Sequence, residues 1–458
     1  MRGGRRRITI ARTIRPGKRA MLRTLACLVC VACPAFAAAA DGDVDPTLGG
    51  GQVTLARPPD FPTAPTPTGD VLGLADGAYL WIMANQDSTV WIGRTLHDGG
   101  ADATFGSDGS GRVTLSDCIG FRATFLADDG AGGAFAWTGA CLAHVEPDGS
   151  LEVGFGGVPL FGSDYTIVDF ARDASGRFVF AATTGRTWDV LRYEADGATP
   201  DATFGSAGHV QIEIPATNNL RGINALAVRD DGRIVAAGWR GNDHGPNLVV
   251  AELTESGELD PAWNGGAVVD LDAPSGQPGI EATSLAIDAD GSVVVGGFEA
   301  SGVVGCCILV TRLDTSGTIA GDFGLREFDL GNTSLGSFFE GRDAVAIRRD
   351  GSILFATTAF PVSTDHRTQF ALLKTDPNGL LDATFGDGGW RGYTIDDPDN
   401  AGQTGDYDQL HAIAVDDASA LVFGRMFFED NSNGRDYVSM VRATFAPPDR
   451  IFAGGFDD

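Results

Sequence analysis

A chain of 458 residues with 43% hydrophobic and 21% charged residues has ample apolar material for a packed core, which sets aside wholesale disorder. Its 33 Lys and Arg stand against 61 Asp and Glu, and nine of the basic residues fall in the first 40 positions, where no acid occurs; the remainder carries 24 basic against 61 acidic residues, a net charge of −37. A surface that acidic repels phosphate backbones and anionic bilayers, so nucleic acid and lipid headgroups are excluded as partners.

Residues 1–40 read as an export segment. A basic opening leads to Met21-Leu22-Arg23, an apolar run from Leu25 to Ala32, Pro34, and the alanine-rich stretch Ala35 to Ala40. This is the layout of a secretory signal peptide, with Met21 as an alternative start and cleavage expected near Ala37 to Ala40. The apolar run falls short of the roughly 20 residues that span a bilayer, so no transmembrane segment is expected and the product is secreted, periplasmic or at the cell surface. Two rival readings fit less well. Arg5-Arg6-Arg7 stands too far from the apolar run for a twin-arginine signal, and Cys30 occupies the place where a lipoprotein signal ending at Cys33 needs a Leu-like residue.

Cys27, Cys30 and Cys33 leave with that segment, and Cys118, Cys141, Cys306 and Cys307 remain for an oxidising compartment. Cys118 and Cys141 flank neighbouring segments of one repeat and form the expected disulfide. Cys306 and Cys307, being adjacent, fall on opposite faces of a strand.

From residue 41 the chain repeats. Asp102-Ala103-Thr104-Phe105-Gly106 returns as Asp201-Ala202-Thr203-Phe204-Gly205 and as Asp382-Ala383-Thr384-Phe385-Gly386, with looser copies around Leu48, Phe155, Trp263 and Phe323. The aromatic or leucine position falls at 48, 105, 155, 204, 263, 323 and 385, a drifting period of about 56 residues. Within a unit, an apolar strand such as Leu285-Ala286-Ile287 meets the turn Asp288-Ala289-Asp290-Gly291 and then Val293-Val294-Val295. A third strand follows at Cys307 to Leu313, then the signature, then a short fourth strand at Arg326 to Leu330. Four strands per unit and seven units predict an all-β, seven-bladed propeller of four-stranded antiparallel blades over residues 41–446, followed by a tail at 447–458.

The chain ends sharpen this topology. Asp45 to Leu55 is a signature and a fourth strand with no first three strands before it, whereas the seventh unit stops after Tyr437 to Arg442. The expectation is that Gly51 to Leu55 supplies the fourth strand of the seventh blade and closes the ring. The tail ends in Arg450-Ile451-Phe452-Ala453-Gly454-Gly455-Phe456-Asp457-Asp458 and is similar to short acidic endings on exported bacterial proteins, which implies a sorting motif.

These units resemble the bacterial delta-sixty repeat family, in which an Asp-Gly hairpin is paired with an Asp-x-Ser/Thr-Phe-Gly ending. The resemblance covers about Asp45 to Arg442, is clearest at 222–270 and 343–390, and departs where Leu325-Arg326 replace paired glycines. It implies a propeller-like exported or surface protein and supplies no reaction.

The sequence holds no Gly-x-Ser-x-Gly elbow, no His-Glu-x-x-His pair and no phosphate-cradling glycine loop, so no catalytic residue is assigned. The recurring aromatics are expected to pack between blades. The Asp-Gly turns lack the further acids of a hand-like calcium loop and read as Asx turns, with calcium the one cofactor they bring to mind. Strand parity puts the second-to-third-strand loops and the interblade links at one end of the propeller, where loops are longest. On that face Asp243, His244, Asp365, His366, Glu429 and Asp430 form the candidate ligand-binding set. The expected function is a monomeric, exported, non-enzymatic module binding a protein or glycan. The alternative is a propeller lyase, lactonase or sugar dehydrogenase acting at the central channel.

Overall fold

β-Branched and aromatic runs set the strands of each repeat, and Asp and Gly turn the chain between them. The computed structural model describes residues 40–56, 68–84, 89–115, 124–152, 155, 165–214, 221–242, 245–272, 279–300, 307–329, 333–335, 344–361, 368–396, 407–428 and 435–445. Apart from one 3-10 turn at Asn264–Gly266, every regular element among them is a strand. No helix of the described residues is long and apolar enough to cross a membrane.

The strands form seven antiparallel sheets in chain order. Blade one is Thr68–Gly73, Tyr79–Ala84, Val90–Thr95 and Arg112–Leu115, and blade two shows Phe125–Asp128, Ala134–Trp137 and Leu142–Val145. Blade three is Thr166–Arg172, Phe178–Thr183, Trp188–Tyr193 and His209–Ile212; blade four is Arg221–Val228, Ile234–Asn242, Gly245–Leu253 and Val269–Leu271. Blade five is Gly279–Ile287, Val293–Ala300, Cys307–Leu313 and Leu325–Asp329. Blade six is Ala344–Ile347, Ile353–Pro361, Gln369–Thr375 and Trp390–Tyr393, with Thr333–Leu335 of the preceding link also pairing to its second strand. Blade seven takes Tyr407–Val415, Ser419–Phe428 and Arg435–Thr444, and Val53–Ala56 pairs antiparallel with the last of these, Val53 opposite Met440. The protein is a seven-bladed β-propeller.

The first strand of each blade touches the first strands of both neighbours, and Tyr407–Val415 touches Thr68–Gly73, so the seven form a closed ring around an axis. Hydrophobic clusters fill the spaces between blades. Phe355 of blade six packs with Val294, Ile308 and Val310 of blade five, and Trp188 of blade three with Ile223 and Val249 of blade four.

The repeated signature is the outer fastening of this ring. Its Gly or Asn donates a backbone N–H to a carbonyl of the neighbouring unit: Gly49 to Asp98 at 2.8 Å, Gly106 to Asp148 at 2.8 Å, Gly205 to Ser256 at 2.9 Å, Asn264 to Ser316 at 2.7 Å and Gly386 to Asp41 at 2.9 Å. Its aromatic residue is buried against a turn glycine of the same neighbour. A β-carbon on Gly317 would stand 2.8 Å from Trp263, and one on Gly379 would stand 2.6 Å from Phe323. The expected packing role of the aromatics is what the structure shows, and each such ring contributes roughly 1.5–3 kcal/mol by leaving water.

Candidate functional site at the central channel

The channel is built from the inner strands, and their register decides which side chains meet there. Pairing with the second strands puts Asp70, Phe125, Asp169, Ala225, Ser284, Ala344 and Ala412 at one equivalent level, opposite Ile82, Trp137, Ala181, Ala237, Gly296, Ala356 and Phe423 respectively. One residue earlier, the ladder skips a position in blades three, four, five and seven, leaving Val168, Asn224, Thr283 and His411 as bulges. A bulge leaves its extra residue outside the ladder and re-aims its side chain. Asn224, Thr283 and His411 thereby join Asp70 and Asp169 in lining a cavity of about 240 Å³ on the ring axis. Because the first-to-second-strand turns lie at the opposite end, the bulges lie on the side of the Asp level that faces the long loops.

The two carboxylates are tied into the scaffold. Asp70 accepts the N–H of Val71 at 2.8 Å through one oxygen and that of Leu126, in blade two, at 2.9 Å through the other. Asp169 repeats the motif with Phe170 at 2.9 Å and Leu226, in blade four, at 2.7 Å. Asn224 extends it by donating its amide to the Ala282 carbonyl of blade five at 2.7 Å. His411 is buried, with the ring of Phe423 tilted across it at 6.5 Å between centroids. Two residues before Thr283, burial pushes the Glu281 carboxyl pKa above the ordinary carboxylate range. Among the described residues, the two sets of three His, Cys, Asp or Glu ligand atoms close enough to share one ion lie outside this cavity.

The six residues of the expected binding face, Asp243, His244, Asp365, His366, Glu429 and Asp430, lie outside the described residues, as do Cys118, residues 1–39 of the export segment and the tail. Cys141 is disulfide-bonded and buried. The Asp-Gly turns behave as Asx turns: Asp290 accepts the N–H of Ser292 at 2.8 Å, and Gly291 takes a φ of +83°, where a β-carbon is strained.

Sequence reading passed over Asn224, Thr283 and His411. The signal was available in Ile223-Asn224-Ala225, Ala282-Thr283-Ser284 and Leu410-His411-Ala412, which put a polar residue at the same place in three inner strands. Only the bulge turns that recurrence into a shared cavity, and a bulge has no reliable mark in a single apolar run.

A family model described as a domain of unknown function (DUF5122) beta-propeller matches residues 229–262. That match and the fold support a propeller repeat family. No curated protein matches the chain. Among solved structures, an ulvan lyase described as a new family of polysaccharide lyase shares 11% identity over 88% of this chain and 94% of its own, with a TM-score of 0.50. A protein of unknown function from Dyadobacter fermentans shares 12% identity over 86% of this chain and 98% of its own, with a TM-score of 0.43. A calcium-binding regucalcin from Agrobacterium tumefaciens shares 12% identity over 72% of this chain and 93% of its own, with a TM-score of 0.38. At such identities the likeness speaks to fold alone.

Proposed function

We propose that the chain is an exported, non-enzymatic binding propeller of the delta-sixty repeat type that takes a small polar ligand at the loop-side mouth of its central channel. The observation that supports this reading is the commitment of the channel carboxylates. Both oxygens of Asp70 and of Asp169 accept backbone N–H groups, one from the next residue of the same strand and one from a neighbouring blade, which suits a rigid rim rather than a group that exchanges protons with a substrate. Around them, Asn224, Thr283 and His411 supply amide, hydroxyl and imidazole groups from three further blades. That inventory matches the hydroxyls of a sugar or polyol. The cavity of about 240 Å³ lies below the roughly 300 Å³ at which drug-sized pockets begin, so a monosaccharide-sized group is the scale of ligand that enters.

A glycan and polyol array probed with the mature chain tests this reading. The expected result is retention of a defined saccharide class by the parent and its loss in the Asn224→Leu, Thr283→Val variant. Turnover of a saccharide or lactone by the parent, abolished in His411→Gln, would replace the binding reading with the enzymatic one.

A further inference from the structure

One position on the signature rim changes its chemistry in a single blade. In every repeat, the backbone N–H of the signature's first residue bonds the carbonyl of one third-strand residue: Arg94, His144, Arg192, Glu252, Arg312, Lys374 and Arg442 in blades one to seven. Five of these are permanent cations, and four of the five pair with the signature acid itself, Arg94 with Asp102 at 3.3 Å, Arg192 with Asp201 at 2.7 Å, Lys374 with Asp382 at 3.0 Å and Arg442 with Asp45 at 2.8 Å. Arg312 pairs with Asp288, and blade four inverts the polarity, Glu252 being held by Arg229 at 2.7 Å and Arg233 at 2.6 Å. Blade two alone carries an imidazole there.

The acids around His144 keep the pattern although the fixed cation is gone. Its Nδ1 lies 2.7 Å from Glu152 Oε2 and 3.8 Å from Glu146 Oε1, and its Nε2 lies 3.1 Å from Asp129 Oδ2. Arg172 of blade three stacks 4.6 Å over Phe135 and reaches the Asp129 backbone carbonyl at 3.4 Å; among the described residues it pairs with none of the three carboxylates. A neutral His144 would leave three carboxylates together without a counter-charge, an expensive arrangement at a partly buried site.

The hydrogen bonds give this cluster a direction. Asp129 is fixed by the N–H groups of Ala131 at 2.6 Å and Gly133 at 3.0 Å on one oxygen, so its other oxygen accepts from Nε2. A neutral imidazole oriented that way turns the Nδ1 lone pair toward Glu152. Two acceptors facing each other at 2.7 Å need a positive charge between them. A proton fits the gap as it stands, and a metal ion takes its place once the two atoms part to the roughly 3.3 Å edge of a tetrahedral site. A carboxylate that holds one imidazole nitrogen while the other meets a metal is the usual way such a ligand is oriented.

We propose that His144 Nδ1, Glu146 and Glu152 bind a first-row divalent cation such as zinc, oriented by Asp129, in place of the fixed cation that five other blades carry. The three ligand atoms lie within 4.8 Å of one another, a span that closes around one tetrahedral ion with metal–ligand distances of about 2.0–2.2 Å. Phe135 stacks on the imidazole at 4.3 Å and holds its plane, while Glu146 and Glu152 are half exposed and leave the site open to solvent and a bound water. An imidazole with two carboxylates suits zinc and its neighbours, whereas calcium prefers six or more oxygens. The ion fastens the third strand to the signature turn, as the guanidinium or ammonium does in blades one, three, six and seven.

The test is calorimetric titration of the tag-free mature chain with zinc chloride and with calcium chloride at pH 7.5. The proposal expects one zinc site per chain with weaker calcium uptake, and at least tenfold weaker zinc binding in Glu152→Gln. Asp129→Asn is expected to lose 10–100-fold. His144→Arg reproduces the arrangement of blades one, three and seven and is expected to fold with an unchanged or higher melting temperature while losing the site. Cys307→Ser is expected to retain it, which separates this site from the Glu299, Cys307 and Glu327 group. No zinc uptake by the parent, or equal uptake by parent and His144→Arg, overturns the proposal.

Discussion

The guanidinium of Arg442 and the carboxylate of Asp45 come from opposite ends of the described chain and meet at 2.8 Å. Arg442 is fully buried and also donates to Thr47 Oγ1 at 2.8 Å and to the His97 carbonyl, in blade one, at 2.7 Å. One side chain thus ties the last strand, the first signature and the first blade. Burial works against the Asp45 carboxylate, but the hydrogen bonds from Thr47 and the charge of Arg442 outweigh it and hold its pKa below the ordinary carboxylate value.

Asp45→Asn is therefore expected to cost about 3–5 kcal/mol at neutral pH, because it leaves a buried guanidinium without its counter-charge. A depressed acid contributes stability above its unfolded pKa and loses it as pH falls through the folded pKa. Denaturant melts at pH 7 and at pH 3 check this: the gap between parent and variant should narrow at the lower pH.

Phe385→Ala should cost about 3–5 kcal/mol, since the ring is fully buried beside Phe445 and against Gly42. Thr384→Ala, which removes an exposed γ-methyl and the hydroxyl that donates to Asp382 at 2.6 Å, should cost about 1 kcal/mol. A reversed order in chemical denaturation would contradict the fastening role of the aromatic.

The repeat made the blades legible. Gly and Asp at fixed offsets place the turns, and Val293-Val294-Val295 or Cys307 to Leu313 declares a strand without structural help. The stray signature at Asp45 pointed to an unpaired fourth strand, and Val53–Ala56 does lie beside Arg435–Thr444. The channel was not legible, because Asp70 and Asp169 read as ordinary polar positions until register brings them to one level. His144 was also hidden, since its meaning lies in the Arg and Lys residues at the same place in other units, a comparison that needs the third-strand register. The acidic loop residues around Asp243, Asp365 and Glu429 lie outside the described residues.

Glu281→Gln should stabilise the protein at pH 7–8. The folded-state pKa of Glu281 is raised by burial, so the folded protein holds its proton longer than the unfolded chain and pays for ionisation as pH rises, about 1.4 kcal/mol per unit of elevation. Below the unfolded value that cost is absent. Thermal melts from pH 4 to pH 8 should show the variant's advantage growing with pH; a constant difference would contradict the assignment.

Cys141 is disulfide-bonded, and pairing with Cys118 would close a loop of ordinary length. Cys141→Ser, or a reducing agent, should cost about 3 kcal/mol. Peptide mapping without reduction should recover a Cys118–Cys141 cross-link. A peptide linking Cys141 to any other cysteine would contradict the pairing.

The most direct test of the channel reading is calorimetric titration of the mature chain with the best small polar ligand from the array, repeated with Asn224→Leu. The reading predicts one ligand per chain, at least tenfold weaker binding in the variant, and ligand recovered unchanged. Equal binding by parent and variant, or conversion of the ligand to a product, would contradict it.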